Sequence, residues 1–132
     1  MENVPANHIN VFLAEDVAFI RLRLAEMLKA IGNVTIVGEA ETPALAIEGI
    51  LHTRPDCVIL DIHLIGGSGI EVLRKIRQVN PNVVFIVLTS YSTPQYQKAY
   101  LEAGANYFLD KGREFEKVKE LIAQLGKQPP LH

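Results

Sequence analysis

The chain has 132 residues, of which 48% are hydrophobic and 21% are charged, a composition typical of one folded globular domain rather than of a disordered segment. Its formal net charge of −2 argues against the strongly basic surface with which proteins bind nucleic acid or anionic membranes. The single cysteine, Cys57, excludes an internal disulfide and a cysteine-rich zinc site.

Apolar runs typical of β-strands alternate with helical periodicities along the chain. The expected strands are residues 9–14, 34–39, 57–61, 83–89 and 106–109. The third and fourth are apolar almost throughout, as central parallel strands buried on both faces are. The sequence therefore predicts a sheet with parallel strands at its centre.

Five helices are expected between and after these strands. One apolar face of the first helix is formed by Ile20, Leu24, Leu28 and Ile31, and one of the fifth by Phe115, Val118, Ile122 and Leu125. The second and fourth begin at Thr42-Pro43 and Thr93-Pro94, where an N-cap precedes a proline at the first helical position. The third begins near Ser68, and Glu71 three positions later predicts a capping box.

This alternation predicts an α/β fold, with one domain over residues 1–127 and a five-stranded parallel sheet covered by helices on both faces. Residues 128–132, which include Pro129-Pro130, are expected to be a tail or the start of a linker. In such sheets, ligands bind beyond the carboxyl ends of the strands, near the point where the strand order reverses. The residues that follow each strand are therefore the candidate site.

Chemically active side chains stand at four of these strand ends. Glu15 and Asp16 follow the first strand, Asp61 ends the third, Thr89 ends the fourth and Lys111 lies just past the fifth. Three carboxylates brought together must raise their pKa values or bind a cation, and an all-oxygen site suits Mg²⁺. A carboxylate also accepts a phosphoryl group when cations and hydroxyls neutralise the phosphoryl oxygens. We expect Asp61 to be that acceptor, with Glu15 and Asp16 as metal ligands.

The ordered set of Glu15-Asp16, Asp61, Thr89 and Lys111 resembles the response-regulator receiver domain of two-component signalling. The resemblance extends over about residues 8–126, with supporting matches at Arg21, Leu24, Leu28, Gly66, Gly69 and 103–105. It implies a doubly wound, flavodoxin-like (βα)5 domain with strand order 2-1-3-4-5. It also implies that Asp61 accepts phosphate from a phosphohistidine on a sensor histidine kinase or a histidine phosphotransfer protein.

The resemblance assigns a role to each matched position. Mg²⁺ would be bound by three carboxylates and one main-chain carbonyl, those of Glu15, Asp16, Asp61 and His63. Thr89 and Lys111 would bind the phosphoryl oxygens, and Phe108 would be the switch aromatic that turns inward when Thr89 moves. The surface of the fourth helix, fifth strand and fifth helix would then change its affinity for partners, and a homodimer through that surface stays open.

Several positions depart from the family pattern. Glu15 replaces the commoner aspartate, Ile65 stands where proline is frequent, and Gly112 follows Lys111 where proline is usual. None of these replacements removes a carboxylate, hydroxyl or ammonium group from the candidate site. His63 and Tyr91 occupy the positions that flank the phosphoryl site, and their bulk predicts restricted attack by water and slow autodephosphorylation.

Other functions compete with the phosphorylation switch. The main alternative is a pseudo-receiver that acts only as an interaction module, and the intact acid, hydroxyl and lysine set argues against it. An aspartate-nucleophile phosphohydrolase would require a second acid or base where His63 stands, so we expect no enzyme beyond autocatalysed phosphotransfer and autodephosphorylation. We also expect no nucleic-acid binding by this chain and no membrane association. Because the N-terminus lacks a basic signal-peptide region, the expected location is the cytoplasm.

Five further side chains have two interpretations each. Asp16 alone is also consistent with a simple helix N-cap. Tyr96 and Tyr100, four residues apart, belong either to the core or to a partner surface. Phe19 and Leu22 lie off the apolar face of the first helix, where exposure would suit kinase docking.

Overall fold

Five parallel strands form the central sheet of the structure, a computed structural model that describes residues 7–127. They are β1 (Ile9–Ala14), β2 (Val34–Ala40), β3 (Cys57–Leu60), β4 (Val84–Thr89) and β5 (Tyr107–Asp110). Their order is β2-β1-β3-β4-β5, and every pairing is parallel. The predicted sheet and its strand order are confirmed, and the strand order reverses between β1 and β3.

Helices cover both faces of this sheet. They are α1 (Ala18–Lys29), α2 (Pro43–Thr53), α3 (Gly69–Val79), α4 (Pro94–Glu102) and α5 (Lys117–Lys127). One buried cluster packs α2, α3 and α4 against one face, and a second packs α1 and α5 against the other. None of the helices within residues 7–127 is long and apolar enough to cross a membrane.

Two of the predicted helix starts are confirmed in detail. The Thr42 side chain accepts a hydrogen bond from the Leu45 N–H, and Thr93 accepts one from the Tyr96 N–H. The predicted capping box at Ser68 is wrong, because Ser68 precedes α3 without a side-chain capping bond. Ser68 instead belongs to a two-stranded hairpin, His63–Leu64 with Gly67–Ser68, which the sequence did not predict.

Small boundary shifts separate the predicted elements from the observed ones. The helix α1 ends two residues before Ile31, and α5 begins two residues after Phe115. Both side chains nevertheless pack in the cluster of α1 and α5, as their periodicity predicted. The strand β3 ends at Leu60, so Asp61 is the first residue beyond it. The predicted tail, 128–132, lies outside the described residues, and the domain bounds 1–127 stay a prediction.

Candidate functional site

Main-chain hydrogen bonds hold the carboxyl ends of neighbouring strands together. The Asp61 N–H donates to the Ala14 carbonyl at 2.9 Å, which joins the end of β3 to the end of β1. The Lys111 N–H donates to the Thr89 carbonyl at 2.9 Å, which joins the end of β5 to that of β4. These predicted residues are thus positioned by hydrogen bonds between neighbouring strand ends of the sheet.

Three carboxylates converge at this edge. One oxygen each from Glu15, Asp16 and Asp61 lies within 4.8 Å of the others. Glu15 and Asp61 are 2% and 6% exposed, so water screens them poorly. Two carboxylates about 4 Å apart repel by roughly 4 kcal/mol at an effective dielectric constant near 20. The acidic cluster, as we name these three residues, therefore requires nearby positive charge.

Lys111 supplies one positive charge to the acidic cluster. Its Nζ lies 2.5 Å from Glu15 Oε1 and 2.9 Å from Asp61 Oδ2. Burial lowers the pKa of Lys111, but its bonds to the two carboxylates outweigh this effect and leave the pKa above its usual value. One ammonium against three carboxylates leaves a deficit of positive charge, which a divalent cation would fill.

Glu15 has a raised pKa in this buried position. Burial raises its pKa to about 7, although the Lys111 bond and the Val17 N–H, which donates to Glu15 Oε2 at 3.1 Å, act in the opposite direction. The nearby Asp61 charge raises the pKa further. The carboxyl oxygens are hard ligands of the kind that Mg²⁺ prefers. The donor set of the acidic cluster therefore fits this ion.

Thr89 and Phe108 lie next to the cluster on β4 and β5. Thr89 is fully buried, and its hydroxyl oxygen accepts a hydrogen bond from the Tyr91 N–H at 3.0 Å. Phe108 is half-buried, with its ring centroid 6.1 Å from that of Tyr100. Tyr100 is a core residue whose hydroxyl donates to the Ile62 carbonyl at 3.4 Å. Tyr96 is 39% exposed, so only Tyr100 of the two tyrosines belongs to the core.

Three aromatic rings lie beside the acceptor. The His63 ring is 4.5 Å from the Tyr91 ring and 6.2 Å from the Tyr96 ring, each in an edge-to-face arrangement. We call these three residues the aromatic cluster. The main-chain N–H of His63 donates to Asp61 Oδ1 at 3.4 Å. All three side chains are exposed to solvent.

The structure also decides between the alternative interpretations of several side chains. Asp16 is not the N-cap of α1, because Val17 holds that position without a side-chain bond. Phe19 and Leu22 are 66% and 58% exposed on α1, as predicted, and kinase docking there stays a prediction. Cys57 is a buried thiol, and burial raises its pKa.

Sequence reasoning missed three features around the site. A Cβ atom at position 69 would collide with the Asp61 carbonyl oxygen, a constraint that only the position of Gly69 in the fold reveals. Arg21 bonds to the main chain of Glu15, although the sequence marked it only as a family match. The Ser92 hydroxyl donates to the Asp110 carboxylate and joins the loop after β4 to the end of β5, without any sequence signal.

Comparison with known proteins decides the family. The model of the response regulator receiver domain matches residues 11–123, which include every residue of the acidic cluster as well as Thr89 and Lys111. The chain belongs to this family. Receiver domains work with histidine kinases in two-component systems and generally use Mg²⁺ at an acidic pocket. The pseudo-receiver alternative has no support, since the acidic set is intact.

Several curated relatives share this receiver domain. The DNA-binding transcriptional activator DevR/DosR of Mycobacterium tuberculosis is 30% identical over 118 residues, which cover 89% of this chain and 54% of the relative. A protein-glutamate methylesterase/protein-glutamine glutaminase of Carboxydothermus hydrogenoformans is 35% identical over 129 residues, which cover 91% of this chain and 37% of the relative. The chain thus spans about half or less of these relatives.

Solved structures show the same fold. The response regulator domain of Thermotoga maritima CheB matches with a TM-score of 0.82 and 26% identity, covering 94% of this chain and 100% of that one. The isolated REC domain of RcsB from Salmonella enterica serovar Typhimurium, solved in the presence of phosphomimetic BeF3−, also has a TM-score of 0.82 and 26% identity, covering 93% of both chains.

Proposed function

We propose that this receiver domain is a phosphorylation-dependent switch that accepts a phosphoryl group on Asp61. The donor is a phosphohistidine on a sensor histidine kinase or a histidine phosphotransfer protein. The observation that carries the proposal is the convergence of Glu15, Asp16 and Asp61, two of which, Glu15 and Asp61, also bind Lys111 Nζ. The RcsB domain solved in the presence of a phosphomimetic has a TM-score of 0.82 to this chain, which supports phosphate chemistry in this domain.

The residues of the site have distinct roles in this transfer. An Asp61 carboxylate oxygen forms a bond to phosphorus as the bond from phosphorus to the donor imidazole nitrogen breaks, which leaves an acyl phosphate and a free histidine. Lys111 Nζ, already 2.9 Å from Asp61 Oδ2, stabilises charge on the transferred phosphoryl oxygens. The Thr89 hydroxyl, at the adjacent strand end, binds another of these oxygens.

Mg²⁺ would be bound by Glu15, Asp16, Asp61 and the main-chain carbonyl of His63. When bound, the ion supplies positive charge to the phosphoryl oxygens. Glu15 reaches the site with a side chain one methylene longer than aspartate, and it is already held there by Lys111. That bond offers a physical reason why glutamate is acceptable at this position.

The output of the switch is a change on the surface of α4, β5 and α5. Thr89 would move toward the phosphoryl group, and Phe108 would turn inward beside Tyr100. Leu101 on α4 and Tyr107 on β5 are both partly exposed there, at 41% and 38%, and would contact a partner or a second copy of this chain.

We propose no enzymatic turnover beyond autophosphorylation and autodephosphorylation, no direct nucleic-acid or membrane binding, and a cytoplasmic location.

A small phosphodonor tests the proposed function. We expect acetyl phosphate with Mg²⁺ to give one retarded species on a phosphate-affinity gel, with a mass increase of one phosphoryl group. Hydroxylamine should remove it, because an acyl phosphate is cleaved by strong nucleophiles, and EDTA should prevent its formation. A chain that accepts no phosphoryl group under these conditions would instead act as an interaction module.

The aromatic cluster is expected to lengthen the lifetime of the phosphoryl group. His63→Ala and Tyr91→Ala should each speed hydrolysis of phosphorylated protein about tenfold, equal to about 1.4 kcal/mol of activation free energy, because water gains access. The loss of the phosphorylated band with time measures this rate. Tyr107→Ala, at the opposite end of β5, is the matched control and should decay as the unmodified protein does. Equal decay of all four proteins would contradict the prediction.

A further inference from the structure

Arg21 lies on α1 beside the acidic cluster but contributes no ligand atom to it. Its guanidinium Nη1 donates to the main-chain carbonyl of Glu15 at 2.7 Å, and its Nη2 pairs with Glu41 Oε1 at 3.0 Å. The Arg21 side chain is 16% exposed and its bond to Glu15 is partly buried, whereas the Glu41 side chain is 48% exposed. A planar guanidinium that makes two fixed bonds restrains the groups it joins.

The bond to Glu15 completes a clamp on that residue's backbone. The Glu15 N–H donates to the Ala40 carbonyl at 3.0 Å, while its carbonyl accepts from Arg21. Both peptide groups of Glu15 are therefore held in orientation. Because Asp16 follows directly, its carboxylate can point at Asp61 only when the peptide between Glu15 and Asp16 keeps this orientation.

Glu41 also connects Arg21 to the hairpin that follows β3. Its main-chain carbonyl accepts a hydrogen bond from the Ile65 N–H at 2.9 Å. Ile65 lies at the turn of the hairpin of His63–Leu64 with Gly67–Ser68, and the His63 carbonyl is the fourth proposed ligand. One guanidinium thus connects the loops after β1, β2 and β3, two of which carry the metal ligands.

We propose that Arg21, paired with Glu41, is a positioning residue that sets the geometry of the Mg²⁺ site without touching the ion or the phosphoryl group. The inference rests on the proposed function. Electrostatics and positioning predict opposite effects here. Removing a positive charge close to an acidic site strengthens cation binding by Coulomb's law, whereas releasing the Glu15 peptide weakens it.

The test is the dissociation constant of Mg²⁺, measured by calorimetric titration of the unphosphorylated chain. We expect Arg21→Met to raise this constant about tenfold, the usual cost of losing a group that orients metal ligands. Arg21→Lys, which keeps the charge but loses the fork of two bonds, should give an intermediate value. With acetyl phosphate, the Mg²⁺ concentration for half-maximal phosphorylation should rise while the maximal rate stays near that of the unmodified protein.

Arg23→Met is the matched control, since Arg23 is on the same helix but stacks over the Phe115 ring at 4.4 Å. It should bind Mg²⁺ as the unmodified protein does or more tightly. Unchanged or tighter binding by Arg21→Met would overturn the positioning role, as would an equal weakening in Arg23→Met. Should Arg21→Met not fold, Arg21→Lys decides, and binding equal to that of the unmodified protein overturns the role. An unmodified chain that binds no Mg²⁺ would refute the proposed function itself.

Discussion

Replacing Asp61 with asparagine is expected to abolish phosphorylation and, at the same time, to raise the free energy of unfolding in the absence of Mg²⁺. The first effect follows because an amide oxygen is too weak a nucleophile to form the acyl phosphate. The second follows because the substitution removes one of three crowded carboxylates. A damaged fold would lower both phosphorylation and the free energy of unfolding. Loss of phosphorylation together with a gain in stability therefore indicates that only a chemical group has been lost.

The gain in stability follows from the charges around Asp61. Asp61 is 6% exposed and shares an edge of the sheet with Glu15 and Asp16, so its carboxylate is repelled at close range. Lys111 offsets part of this repulsion, but it also keeps its 2.5 Å bond to Glu15 when Asp61 is neutral. We expect a net gain of about 1 kcal/mol, a fraction of the roughly 4 kcal/mol by which two carboxylates repel at 4 Å.

Chemical denaturation in EDTA and the phosphate-affinity gel measure the two effects. Asp56→Asn is the matched control, because Asp56 lies at the opposite end of β3, where its carboxylate accepts the Asn10 N–H at 2.7 Å. It should lower stability slightly and leave phosphorylation unchanged. A retarded band that persists in Asp61→Asn would mean that another residue accepts phosphate. A loss of stability in Asp61→Asn larger than that in Asp56→Asn would contradict the crowding of charges.

The sheet and the positions of the site residues were predictable because apolar strand-like runs alternate with helical patterns along the sequence. Apolar runs such as Cys57–Leu60 indicate buried parallel strands, and parallel strands place their carboxyl ends at one edge. Residues that follow different strands, such as Asp16 and Lys111, are therefore brought together by topology alone. Helix ends were less predictable, because Ile31 and Phe115 continue the apolar pattern outside α1 and α5.

The contacts around the site could not be predicted, because they depend on three-dimensional approach rather than on pattern. The hairpin of His63–Leu64 with Gly67–Ser68 has strands of only two residues, which are too short to leave a periodic signal. Tyr96 and Tyr100 have the same spacing in either interpretation, and only the direction of α4 shows that one is buried and the other exposed. The Arg21 bond to Glu15 is made to a main-chain carbonyl, which carries no residue-type signal at all.

Gly69→Ala is expected to damage both the fold and the site, because the added methyl group would collide with the backbone of the proposed phosphoryl acceptor. A Cβ atom at Gly69 would lie 2.2 Å from the Asp61 carbonyl oxygen and 3.1 Å from Leu60 Cγ. Gly69 is the first residue of α3, and its N–H donates to the Ile62 carbonyl at 2.9 Å. Neither backbone can turn aside as a flexible side chain would, so α3 or the segment after β3 must shift.

That shift is expected to lower the free energy of unfolding by about 2–3 kcal/mol, the cost of overpacking a well-filled interior. The site suffers as well, because a displacement of about 1 Å in a reacting group can slow a reaction about a hundredfold. We therefore expect Gly69→Ala to take up phosphate from acetyl phosphate far more slowly than the unmodified protein, even at temperatures where it is fully folded.

Ser68→Ala is the matched control for this prediction, because Ser68 is the neighbouring residue and its side chain makes no capping bond to α3. It should change stability by less than about 0.5 kcal/mol and leave the rate of phosphorylation unchanged. Urea denaturation and the initial rate of band retardation give the two measurements. Gly69→Ala with normal stability would show that the contact is not rigid. A destabilised but normally phosphorylated variant would show that α3 moves while Asp61 stays in place.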